Sequence, residues 1–133
     1  MNNTSSNKND VSLVNLNIIS SITFIVASLV SLSITVDEKN RLLNKKRYYT
    51  NKEALNISFY NRIVILIAVL ISLYVGYTNY KNEENDTVAK YKSSILLTTN
   101  ILTVIGALLI LYVSYLNKKE QTLNTSDVEN PLI

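Results

Sequence analysis

The sequence predicts an all-α membrane protein whose three transmembrane helices form an antiparallel bundle. Three observations lead there. First, Asp, Glu, Lys, Arg and His are all absent from residues 11–36, 63–80 and 93–117. Second, two of these blocks exceed the roughly 20 residues that a helix needs to cross a hydrocarbon core about 30 Å thick, and the third approaches it. Third, the charged residues crowd the segments between and after the blocks, with only Lys8 and Asp10 ahead of them. A mid-membrane charge costs roughly 2.5–3.5 kcal/mol on insertion scales. Lipid therefore enforces such exclusion, whereas a soluble fold has no reason for it. With 133 residues the chain is expected to form a single membrane domain.

Residues 1–10, MNNTSSNKND, form a polar leader expected to be disordered. Residues 11–36 give the first helix. It is read as a retained span, because a cleaved leader has a shorter apolar stretch and an A-x-A site. Residues 37–57 form a basic loop with Leu42, Leu43, Tyr48 and Tyr49 interleaved. Such a stretch suits the membrane surface, as an extension of either neighbouring helix. The second helix, 58–80, reaches full length if Arg62 snorkels its charge to the interface. Residues 81–93 make an outer loop of mixed charge, 94–116 the third helix, and 117–133 a polar tail expected to be disordered. Lipid does not tolerate unpaired backbone groups, so the spans must be helical. Glycine occurs only at 76 and 106 and proline only at 131, so nothing breaks them.

Orientation follows from the Lys and Arg count. Lys8, Lys81, Lys90 and Lys92 fall on one side. Lys39, Arg41, Lys45, Lys46, Arg47, Lys52, Arg62, Lys118 and Lys119 fall on the other. The positive-inside rule then places the 37–57 loop and the C-terminal tail in the cytoplasm, with the N-terminus outside. Each juxtamembrane cation is worth about 1 kcal/mol against anionic lipid.

A repeat runs through the last two helices. LYVGYTNYK from Leu73 returns as LYVSYLNKK from Leu111. Duplication is one explanation, but shared interfacial chemistry is the better one. Both helices leave an apolar run through amphipathic tyrosine into Asn and Lys. Tyr77, Tyr80, Tyr112 and Tyr115, with Arg62, are thus candidate interface anchors rather than members of a proton relay.

Helices in lipid associate by close packing and hydrogen bonds. The second helix carries Ala68, Ser72 and Gly76 as one stripe of small residues, with Asn61 and Asn79 on the same side. The first carries Ala27 and Ser31 within a face rich in Ser and Thr, and the third carries Gly106 beside Thr99 and Thr103. These hydroxyls are expected to bond to carbonyls one turn back or to neighbouring helices. The alternative is that several copies line a weakly polar pore. Asn17 and Asn100 lie at matching depths, which predicts an interhelical hydrogen bond between them.

The chain contains no Cys, His or Trp. Disulfides, thiolate nucleophiles and the usual Cys/His zinc sites are therefore excluded. No span holds a carboxylate for coupled ion transport, and there is no phosphate loop or G-x-S-x-G elbow. The chain is thus expected to be no enzyme, with no cofactor, metal or catalytic residue. The basic residues flank apolar spans, which points to a lipid surface rather than to nucleic acid. Sequons occur at Asn2, Asn3, Asn56, Asn85 and Asn124.

In length, three passes and outward N-terminus the chain looks like class I phage holins, which implies an oligomeric pore as one alternative. SFYNRI (58–63) and LYVGYTNYK resemble segments of small uncharacterised three-pass membrane proteins of low-GC bacteria. That resemblance implies architecture alone. The primary expectation is a structural, accessory or regulatory membrane protein, with lipid and itself or another membrane protein as partners.

Overall fold

The computed structural model describes residues 2–83 and 87–126, with side chains from Lys8 to Glu120. Three α-helices follow one another: α1 (Asn2–Leu42), α2 (Asn51–Asn82) and α3 (Thr87–Ser126). All three are long and apolar enough to cross a membrane. The chain is an all-helical protein in which α1 packs on α2 and α2 on α3.

The helices extend well past the uncharged blocks. The leader, expected to be disordered, is helical from Asn2, and the tail is helical as far as Ser126. Nucleation is the costly step of helix formation; once the apolar span supplies it, polar residues are added at little cost. The basic segment 37–57 shrinks to a connection of eight residues, 43–50, with its flanks taken up by α1 and α2. The outer connection is similarly short. Within it, residues 84–86, including the Asn85 sequon, lie outside the described residues, as do tail residues 127–133.

Local chemistry sets the ends of the 43–50 connection. Asn44 adopts a left-handed conformation, φ 55°, which asparagine tolerates better than most residues. Around it Lys45 N–H bonds to the Asn40 carbonyl (2.8 Å) and Asn44 N–H to the Arg41 carbonyl (3.1 Å). This pair of bonds is a Schellman stop, and it satisfies carbonyls that the helix end would leave open. Helix α2 then opens on a capping box. The Thr50 hydroxyl accepts from Glu53 N–H and the Glu53 carboxylate from Thr50 N–H, both at 3.1 Å.

Two seams hold the helices together, and both repeat every seven residues. The first seam joins the buried residues Leu13, Ser20 and Ala27 of α1 to the buried residues Val75, Ala68 and Asn61 of α2. The Ser20 hydroxyl donates to the Ala68 carbonyl (2.9 Å), and the Asn61 amide donates to the Ala27 carbonyl (3.0 Å). Leu13 and Val75 border the same small cavity. Each step of seven along α1 is therefore answered by a step of seven backwards along α2. A seven-residue spacing keeps two slightly supercoiled helices facing each other.

The second seam begins one residue further along α2. Glu83 accepts a hydrogen bond from Ser93 (2.5 Å), Gly76 lies against the Asn100 amide, and Val69 and Ala107 are both buried. The same stepping carries on to Arg62 and Ser114. Lys118 sits over the Phe59 ring at 4.8 Å and the Tyr60 ring at 5.2 Å, fastening the far end of this seam. Neighbouring residues on a helix point about 100° apart. Helix α2 thus presents one seam to α1 and an adjacent one to α3. Among the described residues no Cα atom of α1 comes within 8 Å of one of α3.

Candidate functional site

Ser72 is the residue on which the three helices converge. Its hydroxyl pairs with that of Ser20 on α1 at 2.8 Å, and its carbonyl accepts from the Asn100 amide on α3 at 3.2 Å. One turn past the middle of α1, the Asn61 amide reaches both the Ala27 carbonyl and the Ser31 hydroxyl (2.9 Å). Interhelical hydrogen bonds of this kind contribute about 0.6 kcal/mol each, with a ceiling near 1.7. Their stronger effect is on register, since a slip of one residue would take the Asn61 and Asn100 amides away from their acceptors.

Close approach depends on two alanines. Ala27 is 1 % exposed and Ala68 fully buried, and their small side chains leave their carbonyls within reach of Asn61 and Ser20 on the facing helix. Of the other hydroxyls on α1, Ser21, Thr23, Ser33 and Thr35 bond to carbonyls three or four residues back.

Two sequence-derived expectations need correction. Asn17 and Asn100 do not pair. Their depths are comparable, but Asn100 points into the α2 seam while Asn17 borders a cavity of about 220 Å³ with Asp10 and Asn79. Equal depth is not enough when α1 and α3 attach to different sides of α2. Gly106 is not a packing residue either, because a Cβ built there meets nothing within 4 Å. Its neighbour Ala107 is buried instead.

The two glycines should therefore respond differently to the same substitution. Gly76→Ala drives a methyl group into the Asn100 amide, which must swing away from Ser72. The lost bond costs about 0.6–1.7 kcal/mol and the overpacking roughly 1–3 kcal/mol. Together they outweigh the roughly 0.5–1 kcal/mol of helix propensity that the methyl group brings, so the variant is expected to lose on the order of 1 kcal/mol of stability. Gly106→Ala gains helix propensity with no clash and is expected to stabilise by about 0.5–1 kcal/mol. Unfolding by sodium dodecyl sulfate from mixed micelles, followed by circular dichroism, measures both signs.

The candidate interface anchors are placed as follows. Tyr77, Tyr112 and Tyr115 are about half exposed on the helix surfaces. Tyr80 is half-buried, with Lys90 5.0 Å above its ring. Arg62 is also half-buried, on the α3 side of α2.

At the basic end lies a cluster that a count of loop charges passes over. Asp37, the first residue after the uncharged block, is fully buried. Its carboxylate accepts from Tyr48 N–H (2.5 Å), Tyr49 N–H (3.3 Å) and the Arg47 guanidinium, with Arg47 Nη2 at 2.9 Å. Arg47 also donates to Asn51. Next to this clamp Arg41 pairs with Glu38 on the surface of α1. Between the basic ends of the three helices a cavity of about 510 Å³ opens, bordered by Ile34, Arg41, Arg47, Leu55 and Asn117 among others.

A spine of apolar helices joined by buried hydroxyls and amides, closed at one end by an ion pair, defines a small multi-pass integral membrane protein. No protein-family model, no curated protein and no solved structure matches the chain.

Proposed function

We propose that the chain is a non-enzymatic membrane subunit with a structural, accessory or regulatory task, acting through helix–helix contacts. One observation carries this reading. Ser20, Ser31, Asn61, Ser72 and Asn100 spend their hydrogen bonds on holding the chain's own helices together. Ile18, Ile22, Ile25, Leu29 and Leu32, by contrast, make one face of α1 that is at least half exposed. These five lie on the side of α1 turned away from α2. Such a face meets lipid or an apolar helix of another copy or another membrane protein, and offers nothing to nucleic acid or a polar substrate. In orientation, the excess of Lys and Arg supports a cytoplasmic 43–50 connection and C-terminal end, with the N-terminus outside.

Cross-linking in native membranes followed by purification in mild detergent tests the reading. A defined self-oligomer or a stable complex is expected, and a monomer that emerges alone would overturn it. The cells should also stay closed to a membrane-impermeant dye at high expression; rapid dye entry would favour the holin-like pore instead. Reporter fusions at Lys45 and Lys119 are expected on the same side of the membrane, with a fusion at Lys81 on the other.

A further inference from the structure

We propose that the cavity at the basic end holds one anionic phospholipid from the surrounding leaflet, with its phosphate beside Arg41 and Arg47. The proposal rests on the membrane-spanning reading and goes beyond it by assigning a site. Helix α2 holds α1 and α3 on adjacent rather than shared faces, so their ends stand apart and leave the 510 Å³ opening. That volume falls within the roughly 300–1,000 Å³ of small-molecule sites.

The lining changes character along the helix axes. Ile34 and Leu55 lie on the membrane side. Arg41 lies two turns beyond Ile34 on α1, and Arg47 lies in the connection, ahead of the start of α2 and of Leu55 within it. A phospholipid has the same order, acyl chain below and phosphate above. Free phosphate would leave the apolar wall unoccupied.

The sign of the headgroup follows from the charge around the opening. Glu38 and Glu120 also border the cavity, and Arg41 and Arg47 are already paired with Glu38 and Asp37. Over residues 37–53 and 117–120, however, eight Lys and Arg stand against four Asp and Glu. A net positive rim draws an anionic headgroup over a zwitterionic one. Both guanidiniums also keep N–H groups beyond those in their ion pairs, since each has five donors.

The test uses the full chain in nanodiscs of phosphatidylcholine, with and without phosphatidylglycerol. Phosphatidylglycerol is expected to raise the thermal unfolding midpoint and to remain bound, one per chain, in native mass spectrometry. Arg41→Gln should weaken that retention about fivefold, the factor a single juxtamembrane cation supplies, with its midpoint in phosphatidylcholine unchanged. Ala54→Trp, which fills the cavity from α2, should abolish retention while the fold persists by circular dichroism. Equal midpoints in the two lipids would overturn the proposal, as would full retention by Ala54→Trp. It would also fall if glycerol phosphate added to phosphatidylcholine discs reproduced the stabilisation. Alkaline carbonate extraction separates the two levels: a chain stripped from vesicles defeats the membrane reading, while one that stays but ignores phosphatidylglycerol defeats only the lipid site.

Discussion

Replacing Ala68 with leucine is expected to unseat α1 from α2, and no other single change within the spans should cost as much. Ala68 is fully buried, and its carbonyl is the acceptor for Ser20. A leucine there adds three carbons at a position on the α1 seam that has no free surface. The helices must separate, and the Ser20 bonds to Ala68 and Ser72 go with them. Overpacking costs roughly 1–3 kcal/mol and each of the two lost bonds about 0.6 to 1.7, so the sum is about 2–6 kcal/mol. Ile67→Leu, one residue away but exposed, should be close to neutral.

The absence of cysteine makes this simple to measure. Cysteines introduced at Leu13 and Val75 are expected to form a disulfide readily in the parent chain and poorly beside Ala68→Leu. A detergent-unfolding midpoint that does not move, with the cross-link intact, would refute the seven-residue register between α1 and α2.

The spans themselves were legible because charge exclusion is a coarse signal that no tertiary detail overrides. The small-residue stripe was legible in a different sense. Ala68, Ser72 and Gly76 do sit along one ridge, but steps of four drift about 40° each on a helix of 3.6 residues per turn. The ridge therefore crosses α2 from the α1 side to the α3 side. Ala68 meets α1, Gly76 meets Asn100 of α3, and Ser72 between them touches both. Steps of seven drift only about 20°, and these are the true seams. They are visible in the sequence as Asn61, Ala68, Val75 and as Val69, Gly76, Glu83, once it is known that α2 has two partners. The number of partners is a tertiary fact, and it also explains why Asn17 and Asn100 miss each other.

The two copies of the repeat differ in where their helices stop. LYVGYTNYK ends one residue before α2 does at Asn82, whereas α3 runs seven residues past LYVSYLNKK to Ser126. What the copies share is thus a change in side-chain chemistry rather than a helix end. Conversely, one helix start was written in the basic segment and passed over. Thr50-Asn-Lys-Glu53 has the spacing of a capping box, and the structure uses it as one. Asp37 left no comparable trace. It looks like any loop carboxylate until the chain turns back and brings Arg47, Tyr48 and Tyr49 around it.

Asp37→Ala is expected to release that turn. The carboxylate collects two backbone N–H groups and a guanidinium, and its removal strands all three at a membrane edge. Arg47 is affected most, because its side chain is only 23 % exposed. Losing one partner of a buried ion pair is worse than losing both, since the survivor is left uncompensated. The expected order of damage therefore places Asp37→Ala first and the double variant Asp37→Ala with Arg47→Met behind it. Asp37→Asn should also be milder than Asp37→Ala, for it keeps an acceptor for the Tyr48 N–H although Arg47 still loses its counter-charge. Hydrogen exchange at the Tyr48 and Tyr49 amides reads this directly. Exchange should be slow in the parent chain, faster in Asp37→Asn and fastest in Asp37→Ala, and identical rates in all three would mean that the clamp does not hold. The consequence reaches into the membrane. The clamp fixes where the chain leaves α1 and where Thr50 can cap α2, so it sets the height at which Asn61 meets Ala27. Loosening it should also weaken the introduced Leu13–Val75 disulfide at the far end of the same seam.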